Sequence, residues 1–212
     1  MTGAGALPVL WSFRRCPFAM RARMALSVSG QQVELREIVL RDKPDEMLAA
    51  SPKGTVPVLV DGETVVDESR VVMDWALARN DPENWLEKCD PVLIDTCDTE
   101  FKHHLDRYKY ASRYDGADAE HHRTEAMRFI QGLNARLTET AFLSGGARGY
   151  TDMAIFPFIR QFRIADPGWF DASPVPNVQR WLAGLTGSDL FASVMRKYPQ
   201  WKETGEAFVF PG

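Results

Sequence analysis

The sequence is short of cysteine, of surplus positive charge and of long apolar runs, and each shortage removes a class of protein. Cys16, Cys89 and Cys97 are the only cysteines among 212 residues. An odd three with no close pair suggests neither a zinc knuckle nor a disulfide framework, and it suits a reducing cytoplasm. The 25 Lys and Arg face 29 Asp and Glu, a formal charge of −4. Nucleic-acid binders usually carry a basic face, so no nucleic acid is expected as a partner. No stretch approaches 18 uncharged apolar residues, and Met1 to Leu10 lacks the basic region and long apolar run of a secretory leader. No membrane association is therefore expected, and a cytoplasmic location is. Internal repeats and low-complexity segments are also missing. What the chain does have is 45% apolar and 11% aromatic residues, spread throughout. That is enough for one large domain or two small ones with real cores.

The first 80 residues alternate between two periodicities. Leu7 to Phe13 is short and apolar, as a strand is. Pro17 then suits a first helical turn, Phe18, Ala22, Ala25, Leu26 and Ser29 recur at helical spacing, and Gly30 ends the run. Val33 to Leu40 reads as a second strand, and a short helix runs from Lys43-Pro44 through Ala50. Asp61-Gly62 turns a hairpin between Val58–Val60 and Thr64–Val66. Ser69 caps a helix over Arg70 to Arg79. This order predicts one mixed sheet with helices packed on it, an α/β domain over residues 1–80.

Residues 81–90, within a stretch of mixed charge bounded by Pro82 and Pro91, read as a linker. From 91 to 212 every periodic segment is helical. Leu93, Cys97, Phe101, His104, Leu105 and Tyr108 form one stripe, and Ala126, Ile130, Leu133, Leu137 and Ala141 another. Met153 to Phe162 is apolar on nearly every side and predicts a buried central helix.

Three motifs carry chemistry. Cys16 follows the first strand and opens the first helix, where unpaired N–H groups and the helix dipole favour an anion, with Arg14, Arg15, Arg21 and Arg23 nearby. A free thiol titrates at about 8.5, and such a setting lowers this to roughly 3.5–7.5. The second motif is Ser51-Pro52-Lys53-Gly54-Thr55-Val56-Pro57 ahead of a strand. It reads either as a plain turn or as a cis Pro57 that turns the Val56 backbone toward an extended peptide. The third, Asp67-Glu68-Ser69, stands at another helix start, a ready anion site. His103-His104 and His121-His122 invite a metal reading, but adjacent helical residues point about 100° apart. Neither pair chelates as a pair, so no metal is expected.

In this order, Cys-Pro-Phe-Ala, Arg-x-Arg, Lys-Pro, Val-Pro and Glu-Ser resemble the glutathione-binding half of the cytosolic glutathione transferases, most closely an omega-like, cysteine-type bacterial class. The resemblance spans Leu7 to about Lys202. It implies a thioredoxin-like α/β N-terminal domain and an all-α C-terminal helical bundle. It further implies that Cys16 faces the glutathione sulfur beside Phe18, that Lys43 meets the glycine carboxylate, and that Val56 pairs with the cysteinyl backbone ahead of cis Pro57. Glu68 and Ser69 would hold the γ-glutamyl end.

Glutathione would then be the co-substrate, a small electrophile or disulfide its partner, and a homodimer the family's habit. Tyr108, Tyr110, Tyr114 and Trp181 are candidates for lining a second-substrate cleft, with core packing the plainer reading of each. A cysteine at this position implies thioltransferase, dehydroascorbate reductase or deglutathionylating activity. The alternatives are a conjugating or isomerising transferase and a non-catalytic regulatory protein on the same fold. Two departures stand out: Ala19 replaces the second cysteine of glutaredoxin-like relatives, and Gly149 replaces the Ser or Thr that caps the central helix ahead of Asp152.

Overall fold

The computed structural model describes residues 6–212, so the first five residues of Met1–Leu10 lie outside the described residues. Two compact units emerge, Met1–Glu83 with Asp189–Gly212 and Asn84–Ser188.

In the first unit, β1 (Val9–Ser12) is the pivot, with Leu10, Trp11 and Ser12 all buried. The helix α1 (Pro17–Ser29) follows, starting with proline and ending at Gly30, whose φ of 67° is the left-handed conformation that glycine adopts without steric cost. Next come β2 (Val33–Glu37), α2 (Asp45–Ala50), the hairpin of β3 (Val58–Asp61) and β4 (Thr64–Val66), and α3 (Ser69–Leu77). The sheet is mixed, as its alternating pattern predicts. β1 runs parallel to β2 and antiparallel to β3, with Leu10 opposite both Leu35 and Leu59.

The expected boundary at residue 91 and the all-helical tail to 212 differ from the fold. α10 (Asp189–Val194), α11 (Trp201–Thr204) and β5 (Phe208–Phe210) belong to the first unit, and the sheet order is β4-β3-β1-β2-β5. The cause is the open edge of β2, whose unpaired backbone groups need a partner. β5 supplies it antiparallel, with Val33 opposite Phe210. Trp201 fastens the return, edge-on to Trp11 at 5.9 Å between ring centroids, with the Arg36 guanidinium 4.0 Å from its own centroid. The expected linker is also built into structure. Trp85 is fully buried, and Asp90 caps the next helix by accepting from the Leu93 N–H while binding Arg136 at 2.5 Å.

The second unit contains α4 (Pro91–Thr96), a π-helical turn at Cys97–Phe101, α5 (Lys102–Lys109), α6 (Ala119–Glu139), α7 (Tyr150–Ala165), α8 (Pro167–Asp171) and α9 (Pro176–Thr186). Residues 151–159 of α7 are buried without a break, matching the expected central helix. Among the described residues no helix is long and apolar enough to cross a membrane.

Gly149 has a steric reason. A Cβ there would lie 2.8 Å from Ser144 Oγ and 2.8 Å from Lys88 Cβ, so a capping serine would not fit without movement. Asp152 supplies the other half of the cap. Fully buried, its carboxylate accepts from the N–H groups of Gly149, Leu143 and Ser144 at 2.8–3.1 Å and from the Trp181 indole at 2.8 Å.

Asp152→Ala therefore strands four donors, each worth about 1–3 kcal/mol if left unpaired in the interior. It should lower the urea unfolding midpoint markedly. Asp171→Ala, which removes only the exposed pair with Arg163, should cost under about 1 kcal/mol.

Candidate active site

Cys16 is the residue at which strand geometry turns into helix. Its φ and ψ of −74° and 123° are extended, and it occupies the N-cap position directly before Pro17. Its N–H closes a turn onto the Phe13 carbonyl at 3.0 Å, and its carbonyl accepts from Met20 N–H at 2.9 Å. The thiol is partly exposed and its Sγ lies 3.6 Å from the Val56 carbonyl oxygen, with the S–H as donor. The Val56–Pro57 bond is cis. Val56 packs with Trp11, Ile38, Met47 and Val58, and Cys16 rests against the same cluster. Residues 40 positions apart are thus brought into contact by β1 and β3 lying side by side.

Two of the arginines near Cys16, both on α1, are buried, Arg21 at 2% exposure and Arg23 at 1%. Arg23 donates to Ser12 Oγ at 2.5 Å and to the Arg14 carbonyl at 2.8 Å, while the Arg14 N–H donates to Glu37 Oε1 at 2.6 Å. The end of β1 at Ser12 and the turn at Arg14 are therefore both tied down. Burial lowers the Arg23 pKa to about 10, opposed chiefly by Glu37 and then by Cys16, so the guanidinium stays charged at neutral pH. Burial raises the Glu37 pKa, opposed by the hydrogen bond from Arg14 and by the Arg23 charge. Neither shift had a signal in the sequence, because neither burial is visible there.

Arg21 supports the other half of the site. Its Nε donates to Ser69 Oγ at 3.0 Å, and its guanidinium sits 5.1 Å from the centre of the Phe18 ring. With one lone pair of Oγ occupied, the Ser69 hydroxyl proton is left to donate. Glu68 is the N-cap of α3 and Ser69 its first helical residue, one position on from the expected cap. The exposed Glu68 carboxylate pairs with the exposed Lys53, a partner not anticipated from the sequence, and that hydrogen bond raises the Lys53 pKa. Ser51 donates to Asp67 at 2.8 Å and ties the Val56 loop to the start of α3. Lys43 lies against the same loop: a Cβ on Gly54, whose φ is +64°, would sit 3.3 Å from Lys43 Nζ.

The aromatic candidates lie in the second unit. Tyr108 is half-buried against Phe162, 5.1 Å between ring centroids, and burial raises its pKa. Tyr110 accepts from Gln161 at 3.3 Å, and the Arg113 guanidinium lies 4.3 Å from its ring centroid. Trp181 is buried, bound to Asp152 and edge-on to Phe156, so the structure gives it a packing role.

Comparison with known proteins bears on this geometry. Residues 10–85 match the family model for the glutathione S-transferase N-terminal domain, and residues 99–184 match that for the C-terminal domain. The probable glutathione S-transferase parA of Nicotiana tabacum is 25% identical over 164 residues, 73% of this chain and 72% of its own length. Pyrimidodiazepine synthase of Drosophila melanogaster is 29% identical over 188 residues, 82% and 74% respectively. A Pseudomonas fluorescens glutathione transferase family member, solved with two glutathione bound, has a TM-score of 0.76 at 16% identity, covering 92% of this chain and 94% of its own. A theta class glutathione S-transferase from Xanthomonas axonopodis, with glutathione bound, has a TM-score of 0.71 at 20% identity, covering 92% and 99%. None of these four is named as omega-like.

Arg23→Lys keeps the charge but loses the fork that reaches Ser12 and Arg14 together. Loss of a charged hydrogen bond costs about 1.5–3 kcal/mol, so the unfolding midpoint should fall. Iodoacetamide should also label Cys16 more slowly while the exposed Cys89 reacts at an unchanged rate, as peptide mapping would show.

Proposed function

We propose, for a chain that belongs to the glutathione S-transferase family, a glutathione-dependent thiol-transfer activity run by a single cysteine, the omega-like mode. The observation that carries this reading is the position of the Cys16 thiol, which is partly exposed at the start of α1 and 3.6 Å from the Val56 carbonyl. An extended peptide paired with the Val56 backbone would bring its own sulfur beside Cys16. Structural relatives bind glutathione, a ligand with two carboxylates and one ammonium. Here Lys43 would take the glycine carboxylate, Ser69 and the N–H groups at the start of α3 the γ-glutamyl carboxylate, and Glu68 the ammonium. The Lys53–Glu68 pair is exposed, so opening it to admit the ligand costs little.

The chemistry follows from having a thiol where a hydroxyl would only steady glutathione's own thiolate. The Cys16 thiolate attacks the glutathionyl sulfur of a mixed disulfide; the Cys16–glutathione S–S bond forms, the original S–S bond breaks, and the substrate leaves as its thiolate. A second glutathione thiolate then attacks the glutathionyl sulfur on the enzyme, releasing oxidised glutathione and restoring the Cys16 thiolate. Ala19 offers no internal thiol for that second step, so the adduct waits for reduced glutathione from solution. Such a cycle belongs in a reducing, cytoplasmic compartment.

Oxidised glutathione should add one glutathionyl group to Cys16, as read by intact-mass spectrometry and peptide mapping. Cys16→Ser should lose both the adduct and disulfide exchange, and Ala19→Cys should shorten the adduct's life. No glutathione on Cys16, or full exchange activity in Cys16→Ser, would move the assignment to a conjugating transferase. Glu68→Ala and Ser69→Ala should each weaken glutathione binding by calorimetry, by about ten-fold for a lost charged hydrogen bond.

A further inference from the structure

The expectation of no metal treated each adjacent histidine pair by itself. Packing of α5 on α6 changes the arrangement, because it brings the two pairs together. His104 meets His122, whereas Phe101, a turn earlier, meets Phe129, two turns later, at 5.0 Å between centroids. The helices therefore run antiparallel, and residues far from their sequence neighbours become facing ones. His104 Nδ1 and His122 Nδ1 stand 2.8 Å apart, and the ring centroids of His103 lie 5.0 Å from His104 and 5.7 Å from His122. One ring nitrogen from each of His103, His104 and His122 falls within 4.8 Å of the others.

We propose that His103, His104 and His122 form a binding site for a borderline divalent transition-metal ion of the zinc type, with one coordination position left for water. Neutral imidazole is a preferred ligand of such ions and a poor one for magnesium. Zinc–nitrogen bonds of about 2.0–2.1 Å put tetrahedral ligand atoms about 3.3 Å apart. The separations here bracket that value, and the partly exposed rings can close the difference by turning about their side-chain bonds. His104 and His122 are half-buried and His103 exposed, so an ion has a route in. The facing His104 and His122 Nδ1 atoms share one proton in a hydrogen bond, and an ion frees both lone pairs by moving that proton to the other nitrogen of its ring.

One cation opposes the ion. Arg107 Nη1 lies 2.9 Å from His103 Nδ1, and its guanidinium sits 4.5 Å from the centroid of the Tyr114 ring. Guanidinium keeps its protons, so it occupies the His103 lone pair as a donor. Arg107 thus sets a positive charge beside the cluster, and removing it removes a charge of the same sign as the ion's.

The test is calorimetric titration of the full chain with Zn(II) after alkylation of the accessible thiols, with Mg(II) as the hard-cation control. One zinc per chain is expected, with no magnesium binding. His104→Ala and His122→Ala should each weaken zinc by about ten-fold or more, and Arg107→Ala should tighten it. His104→Gln and His122→Gln serve if either alanine variant fails to fold by circular dichroism. Absence of saturable one-to-one binding, binding that survives loss of His104 and His122, or weaker binding in Arg107→Ala would overturn the proposal.

Discussion

The hydrogen bonds of the buried Arg23 guanidinium are the constraint on which the rest of the candidate site depends. A charge at 1% exposure is costly to bury, and it is tolerated here because its partners are the groups that must be held still. Ser12 ends β1, the Arg14 carbonyl lies within the turn, and Glu37 grips the turn from the end of β2 through the Arg14 N–H. With strand, turn and helix start fixed together, Cys16 has one backbone position at the head of α1. Its thiol then faces the Val56 carbonyl across the β1–β3 pairing.

Arg21, two residues earlier on the same helix, holds Ser69 at the start of α3 as Arg23 holds the turn before Cys16. Its bond to Ser69 commits the hydroxyl oxygen as an acceptor, leaving the proton for a ligand. α1 thus carries two buried cations, one tied to the turn before Cys16 and one to Ser69 at the start of α3. A ligand spanning both would need a thiol or disulfide at one end and a carboxylate at the other, which is the chemical outline of glutathione.

Much of this could be read from the sequence wherever the cause was local. Pro17 and Gly30 mark the ends of α1, Asp61-Gly62 sits at the turn between β3 and β4, and the unbroken apolar run from Met153 marks the central helix. What escaped reading is non-local. β5 is three residues long, and its reason to exist is the open edge of β2, a partner far away in the chain. Arg21 and Arg23 read in the sequence only as charge near Cys16, and their burial and their partners Ser69 and Ser12 come from packing. His104 and His122 look unrelated until α5 and α6 pack. Gly149 looks like a lost cap, while the structure shows Ser144 and Lys88 occupying the space a side chain would need. The Lys53–Glu68 pair likewise depends on a loop being folded back toward α3.

The proposed thiol transfer would pass through a covalent enzyme–glutathione intermediate, whereas a conjugating transferase would join glutathione to its substrate within a ternary complex. Initial-rate kinetics separate the two directly. Rates measured over a grid of reduced glutathione and a small glutathionylated disulfide should give parallel double-reciprocal lines, because the first product leaves before the second glutathione enters. Lines that converge would mean both substrates are bound when bonds change, and would contradict a mechanism that runs through Cys16.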